Sequence, residues 1–481
     1  SMLGKEETTI KPISIGNNNL QYQFFHQFDL ASLNLTPGQE VEYYFEVWDN
    51  DGINGSKMTR SEVMYYKVPS LEEIEEVTEE SDKMIKEDLE QSISEAMQLQ
   101  FQIDRMQEKL VNEETLSWED RQQIQDLLNQ HKRLQEKVER IKEENLKKGE
   151  REEQFREMNE ELLEKQKQLE ELMDEVLTDD IKELIEEIQE MLDKVDKDKV
   201  NQMLEKMEKN TEQLNNDLDR SLEWFKQLEF DKKLTETIEK LNELAMEQEK
   251  LAQKSESKAE KSDSLASEQD KLNDKFDELR KDLDDLHEKN QALEEPNPLI
   301  KTDQSEEAIQ EEMQKSMNSL DKNQRKKASQ SQKNASQQMQ ELSDMLFSMQ
   351  QMMTQESLGE DIAALRQILD NLVQLSFDQE EIMNGVASIN KNDPGYPELI
   401  QNQNKLKDDL EIVKDSLYAL SKRQMAIQPF VTREIDDINK NVGEAISHLN
   451  ERRKPQAASK QQYVMTSINN LALLLSEAMR Q

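Results

Sequence analysis

Between Ser70 and Glu295 the chain has no proline and a single glycine, Gly149, and it carries leucine, isoleucine, valine and methionine at alternating three- and four-residue steps. Proline and glycine are the residues that interrupt helices, and that alternation holds an apolar stripe on one side of a 3.6-residue turn. The pattern predicts long amphipathic helices, not a closed catalytic globule. The composition agrees, with 34% hydrophobic, 35% charged and 5% aromatic residues in 481, because a helix that buries one seam leaves the rest of its circumference wet.

The 62 basic and 105 acidic residues give a formal net charge of −43. Such a field repels the phosphates of nucleic acid and the anionic face of a bilayer, so nucleic acid is not expected as a partner. The acidic runs read first as solvated helix faces, with a basic partner or divalent cations as the sharper alternative. The absence of cysteine removes disulfides, thiolate nucleophiles and Cys-based metal sites. The longest aliphatic run, Leu471 to Leu475, is far too short to span a bilayer. The first methionine follows a serine and a helical pattern runs to Gln481, so the chain reads as a soluble piece of a longer protein.

Half of the ten glycines precede residue 56. The same stretch alternates as strands do, at Leu20 to Phe24, Val41 to Trp48 and Glu62 to Val68, with turns at Thr36-Pro37-Gly38 and Asp49-Asn50-Asp51-Gly52. Residues 1–69 are therefore expected to form a small antiparallel β module, with too few strands for a full sandwich and so a partial immunoglobulin-like one. Ser70 and Glu73 have the capping-box spacing that opens a helix, and Ser117 with Asp120 marks a second start. Residues 70–295 then read as a long helical or coiled-coil region with breaks at 112–117, 147–150, 177–180 and 194–199 and a hinge or frayed helix between Ala252 and Asp270. The first seam, Leu89, Ala96, Ile103 and Leu110, is expected to pack weakly because Gln100 and Gln107 follow Ile93 at heptad spacing.

Pro296-Asn297-Pro298 reads as a boundary. Residues 296–358 form a Gln/Met/Lys-rich helical segment with a basic island at Lys322, Arg325, Lys326, Lys327 and Lys333, and an apolar run at Met339, Leu342, Met345, Leu346, Phe347, Met349, Met352 and Met353. Flexible thioether side chains suit an adaptable docking face, and equally an ordinary buried one. Residues 359–481 read as a C-terminal bundle divided by Asn392 to Pro397, Pro429 and Pro455. The fold class expected is mainly α: the β module, an elongated array of long antiparallel helices or coiled coil, and the bundle. Whether the seams close within one chain or between two copies is left open by the pattern, so a homo-oligomer stays among the expectations.

No catalytic, cofactor or metal residue is nominated. A Walker-type phosphate loop is absent, since the one Gly-Lys pair, Gly4-Lys5, has no glycine five residues earlier. The four histidines, His26, His131, His287 and His448, lie far apart and form no ligand pair. His131 occupies a seam position, where it reads as a tolerated polar residue or, less simply, a pH switch. Asp49 to Gly55 invites a calcium reading, but Ile53 and Arg60 stand where an EF-hand needs ligands, and an acidic hairpin turn is the simpler account.

Several motifs together resemble a large, uncharacterised bacterial domain-of-unknown-function family. They are Tyr44-Phe45-Glu46-Val47-Trp48-Asp49-Asn50-Asp51-Gly52, Thr59-Arg60-Ser61 and Pro69-Ser70-Leu71-Glu72-Glu73, then Lys326-Lys327-Ala328-Ser329, Leu369-Asp370-Asn371-Leu372, Ala419-Leu420-Ser421-Lys422-Arg423 and Asn469-Asn470-Leu471-Ala472. The resemblance implies a membrane-anchored envelope protein about twice this length, with transmembrane helices and an immunoglobulin-like region before this helical part. It brings no catalytic residues. The expected function is that of a non-catalytic scaffold on the periplasmic side of the envelope, anchored only through segments outside this chain, which presents helical faces to protein partners. The residues expected to touch partners are the basic island and Met339 to Met353. The alternatives are a holdase-like helical clamp and the coiled-coil arm of an enzyme whose catalytic domain lies elsewhere.

Overall fold

The computed structural model describes residues 10–13, 26, 33, 35–49, 53, 55–113, 115–155, 159–176, 179–194, 196–257, 261–390, 393–424, 427 and 429–479. The chain divides into two compact units, residues 1–80 with 154–156, and residues 81–153 with 157–481. Among the described residues the protein is mainly helical, with four short strands ahead of eleven helices.

The strands form one interrupted hairpin. β1 (Glu40–Tyr43) pairs antiparallel with β4 (Met64–Lys67), and β2 (Glu46–Trp48) with β3 (Met58–Arg60). Two residues separate β1 from β2 but three separate β3 from β4, so the returning strand carries one extra residue, a bulge. Ser61 fills it. Its hydroxyl accepts the Phe45 amide at 2.9 Å, while its own amide donates to the Phe45 carbonyl at 2.9 Å. The expected single strand from Val41 to Trp48 is thus broken at Tyr44 and Phe45. The turn at Thr36 to Gly38 is present, with Gly38 at φ +81; the strand expected at Leu20 to Phe24 lies outside the described residues. The Asp49 carboxylate accepts the Lys57 amide at 2.8 Å, as a hairpin turn requires.

Helix α1 (Leu71–Asn112) starts at the expected capping box. The Ser70 amide donates to Glu73 Oε2 at 2.7 Å and the Glu73 amide to Ser70 Oγ at 3.1 Å. Lys67 reaches the same carboxylate at 2.8 Å, and with the Ser70 amide it holds the Glu73 pKa down to about 2. The α1 seam is complete rather than weak: Ile85, Ser92, Leu99 and Met106 interleave with Leu89, Ala96, Ile103 and Leu110, all buried. Gln100 and Gln107 lie off the seam.

The other helices are α2 (Trp118–Phe155), α3 (Glu160–Glu175), α4 (Asp179–Lys194), α5 (Lys197–Glu256), α6 (Ser262–Gln291), α7 (Asp303–Asp321), α8 (Arg325–Ser388), α9 (Tyr396–Ser421), α10 (Pro429–Asn450) and α11 (Lys454–Ala478). The break expected at 147–150 does not occur, and α2 continues through Gly149. One interior glycine costs about 1 kcal/mol, and here α3 lies against it: a Cβ on Gly149 would meet the Gln166 amide and the Glu170 carboxylate. Within the stretch expected to be a hinge or frayed helix, α5 ends at Glu256 and α6 begins at Ser262. Lysines on α5 bind acids on α6 in antiparallel order, Lys254 with Glu268 at 2.7 Å and Lys240 with Asp282 at 2.8 Å.

The apolar core falls into three clusters, spanning residues 85–228, 230–346 and 365–475. The clusters are successive copies of one four-helix plan. The first uses α1, α2, α4 and the start of α5, with α3 added through Leu162, Leu169, Leu172 and Met173; the second the rest of α5, α6, α7 and the start of α8; the third the rest of α8, α9, α10 and α11. Buried positions recur at constant separation within each helix. Leu89, Leu99 and Leu110 correspond to Leu234, Leu244 and Ser255, and to Leu365, Leu375 and Val386. Leu134, Val138 and Ile141 correspond to Leu272, Phe276 and Leu279, and to Leu406, Leu410 and Val413. Leu214 and Leu218 correspond to Leu342 and Leu346, and to Leu471 and Leu475. The turn before the fourth helix repeats as well: the amides of Asp196, Gln324 and Arg453 donate to the carbonyls of Met191, Ser319 and His448. Asn323 and Arg452 share φ 57 in two of these turns. Helix α3 has no counterpart. The sequence boundaries placed at 295 and 358 fall between α6 and α7 and inside α8.

Candidate functional site

The segments nominated as partner contacts are largely committed to the fold. Met339, Leu342 and Leu346 are buried in the second cluster, and Met353 packs at its edge. Met345, Phe347 and Met352 are exposed, but at 100° per residue Phe347 projects from the flank opposite Met345 and Met352, so they form no common patch. In the basic island, Arg325 donates to the Ser257 carbonyl at 3.1 Å and Ser262 Oγ at 3.2 Å, and Lys333 binds Glu256 at 2.6 Å. These two close the α5–α6 turn onto α8. Lys322, Lys326 and Lys327 are exposed. The depression along α7 lined by Glu307, Gln310, Glu311 and Lys315 is open to solvent, and its lysine is bound to Glu311 and Glu312.

The chemically distinctive places are inside the bundles. At one level of the second bundle every helix contributes a polar side chain: Gln248, Gln269, Ser316 and Gln332 are fully buried. Gln248 and Gln269 exchange amide hydrogen bonds at 2.9 and 3.2 Å, and Ser316 and Gln332 donate to Gln269 Oε1 at 2.8 and 3.1 Å. The third bundle repeats the layer. Gln379 and Gln403 exchange bonds at 3.2 and 2.8 Å, Gln461 donates to Gln403 Oε1 at 2.7 Å, and Ala445 replaces the serine. In both layers the third glutamine, Gln332 or Gln461, keeps an unpaired carbonyl oxygen.

In the first bundle the equivalent level is Ile103, His131, Ile188 and Leu204. His131 stands where Gln269 and Gln403 stand, among aliphatic side chains, and both ring nitrogens lack partners. Burial disfavours the imidazolium and lowers its pKa to about 4.

A second polar cluster lies at the middle of α5, where the bundles meet. Arg220 is buried and donates to the Ser421 and Ile427 carbonyls at 2.9 and 2.8 Å, and Tyr418 donates to Asp219 at 2.9 Å. Lys422 binds Asp219 at 2.7 Å and Glu294 at 2.8 Å. On the other side Lys232 binds Glu152 at 2.5 Å, Lys165 binds Asp231 at 2.8 Å, and Lys148 pairs with Asp82 under the Phe225 ring. Burial and the neighbouring Lys148 lower the Lys232 pKa. For Lys148 burial acts in the same direction, but Asp82 and Glu152 outweigh it and raise its pKa. Perturbed lysines can mark active sites. Here each is matched to a carboxylate from another helix, and the cluster acts as an interhelical lock.

Among the described residues no group of three or more His, Asp or Glu side chains is arranged to hold a metal ion. No helix described is long and apolar enough to cross a membrane. The fold and these layers define a tandem-repeat helical protein, in which long helices are shared between consecutive bundles. Comparisons with protein-family models, with curated proteins and with solved structures found no match.

Proposed function

We propose that this chain is the scaffolding segment of a membrane-anchored bacterial envelope protein, holding protein partners at set separations on helical faces. The observation that supports it is the threading of three bundles on α5 and α8. A 60-residue helix and a 64-residue helix are about 90 and 95 Å long at 1.5 Å per residue, and the buried ion pairs at the middle of α5 fix one bundle against the next. Fixed spacing is what a scaffold supplies. The envelope location rests on the motif resemblance alone.

The test places a photo-crosslinking residue at exposed positions such as Met352 or Leu473 in the natural protein and fractionates the cells. Discrete protein adducts in the envelope fraction are expected. A cytosolic protein without adducts overturns the reading. A holdase is the second reading, favoured by the exposed Phe101, Phe377 and Leu473; suppression of client aggregation at near-stoichiometric ratio would select it.

A further inference from the structure

The repeat relates surface positions as well as core ones. On the first helix of each bundle one corresponding position is apolar and open to solvent: Phe101 is 60% exposed, Met246 59% and Phe377 62%. One turn earlier stand Met97, Asn242 and Val373, and three residues later Asp104, Glu249 and Glu380, an acid each time. Exposed large apolar side chains are scattered singly on ordinary surfaces, but recurrence at one repeat position with an acid at the same offset is a pattern. In tandem-repeat proteins such recurring positions form the binding face.

We propose that these positions are docking points, one per bundle, for cationic amphipathic helices. The inference deepens the scaffold reading and rests on it. Charge selects the occupant: the chain carries −43, which repels a second copy of itself and an anionic bilayer and attracts a segment rich in lysine and arginine. The ring at the first position already receives such a group, since the Arg105 guanidinium lies 5.7 Å from the Phe101 centroid. An amphipathic helix laid along this face sets its apolar stripe on the phenylalanine or methionine and its cations on the neighbouring acid.

The probe is a synthetic leucine/lysine peptide with leucines on one helical face, titrated calorimetrically into the full chain. Controls are a scrambled peptide of the same composition and a leucine/glutamate helix of the same pattern. Three peptides per chain are expected. Phe101→Ser, Met246→Ser and Phe377→Ser should each remove one site, the triple variant should bind at least about tenfold more weakly, and a serine at the equally exposed Ile412 of α9, Ile412→Ser, should leave binding unchanged. Equal binding by the scrambled peptide, or an unaffected triple variant, overturns the proposal in favour of counter-charge alone. Binding of the glutamate helix overturns it in favour of unselective apolar capture, and self-association of the free chain lost in the triple variant assigns the face to a second copy. Circular dichroism of the triple variant should match the parent; lost helicity would make these residues structural and also overturn the proposal. Failed peptide binding with cellular crosslinks intact removes the docking points and leaves the scaffold reading standing.

Discussion

Gln269 and Gln332 occupy one buried layer but carry different loads. Gln269 accepts from three side chains and donates to two, so Gln269→Leu strands several buried polar groups and should lower stability by about 2–3 kcal/mol. Gln332→Leu strands none of the three, because Gln269 Oε1 keeps Gln248 and Ser316, and it removes an unpaired carbonyl. A cost under about 1 kcal/mol is expected, measured for both variants by urea denaturation. His131 gives the pH dependence. Its folded pKa, about 4, lies below the ordinary 6.5, so between those values the unfolded chain binds a proton that the folded one refuses. Stability is complete above about pH 6.5, falls as pH drops, and has lost roughly 3 kcal/mol at about pH 4. His131→Leu should therefore raise the urea midpoint more at pH 5 than at pH 7; an equal gain at both would rule out titration of this ring. The seam position of His131 was legible in the sequence. Its kinship with Gln269 and Gln403 was not, because a histidine stands in the first copy where the other two carry glutamine.

At the scale of elements, helix starts were the most legible feature, because caps are local chemistry. Ser117 and Asp120 exchange bonds at 2.8 and 3.1 Å as their spacing predicts. Burial pushes the Asp120 carboxyl up, but Lys109 and Ser117 outweigh it and hold the pKa well below the usual range. Asp120→Ala should cost about 2 kcal/mol and Asp120→Asn less, since the amide oxygen still caps. Helix interiors were less legible. Gly149 read as a break because a sequence does not show what will pack on it. Gly149→Ala should shift stability by less than about 1 kcal/mol, since the gain in helix propensity is offset by moving the ends of Gln166 and Glu170. On α1, the heptad-spaced glutamines drew attention from Leu99 and Met106, which supply the second half of the seam.

For the whole molecule, the mainly helical character followed from periodicity, whereas the repetition did not. Its identities are chiefly leucines of the kind any helical seam carries, and helix α3 interrupts the period in the first copy. The burial of Met339, Leu342 and Leu346 was hidden for a related reason: a methionine-rich stripe reads alike whether a fourth helix or a foreign protein covers it. Coupling between copies is testable at Arg220. Arg220→Ala leaves the Ser421 and Ile427 carbonyls short of a donor, so amide exchange in the α9–α10 connection should quicken while α6 stays protected. Uniform quickening would mean that the copies unfold as one.

The sharing of α5 and α8 has a genetic consequence. The second half of α5 and the second half of α8 hold corresponding positions, with Leu241 matching Leu372, so a deletion of residues 242–372 would splice one helix to the other without a change of phase. Length in this protein is then an editable quantity: recombination between copies can subtract or add a whole bundle and leave every remaining seam in register.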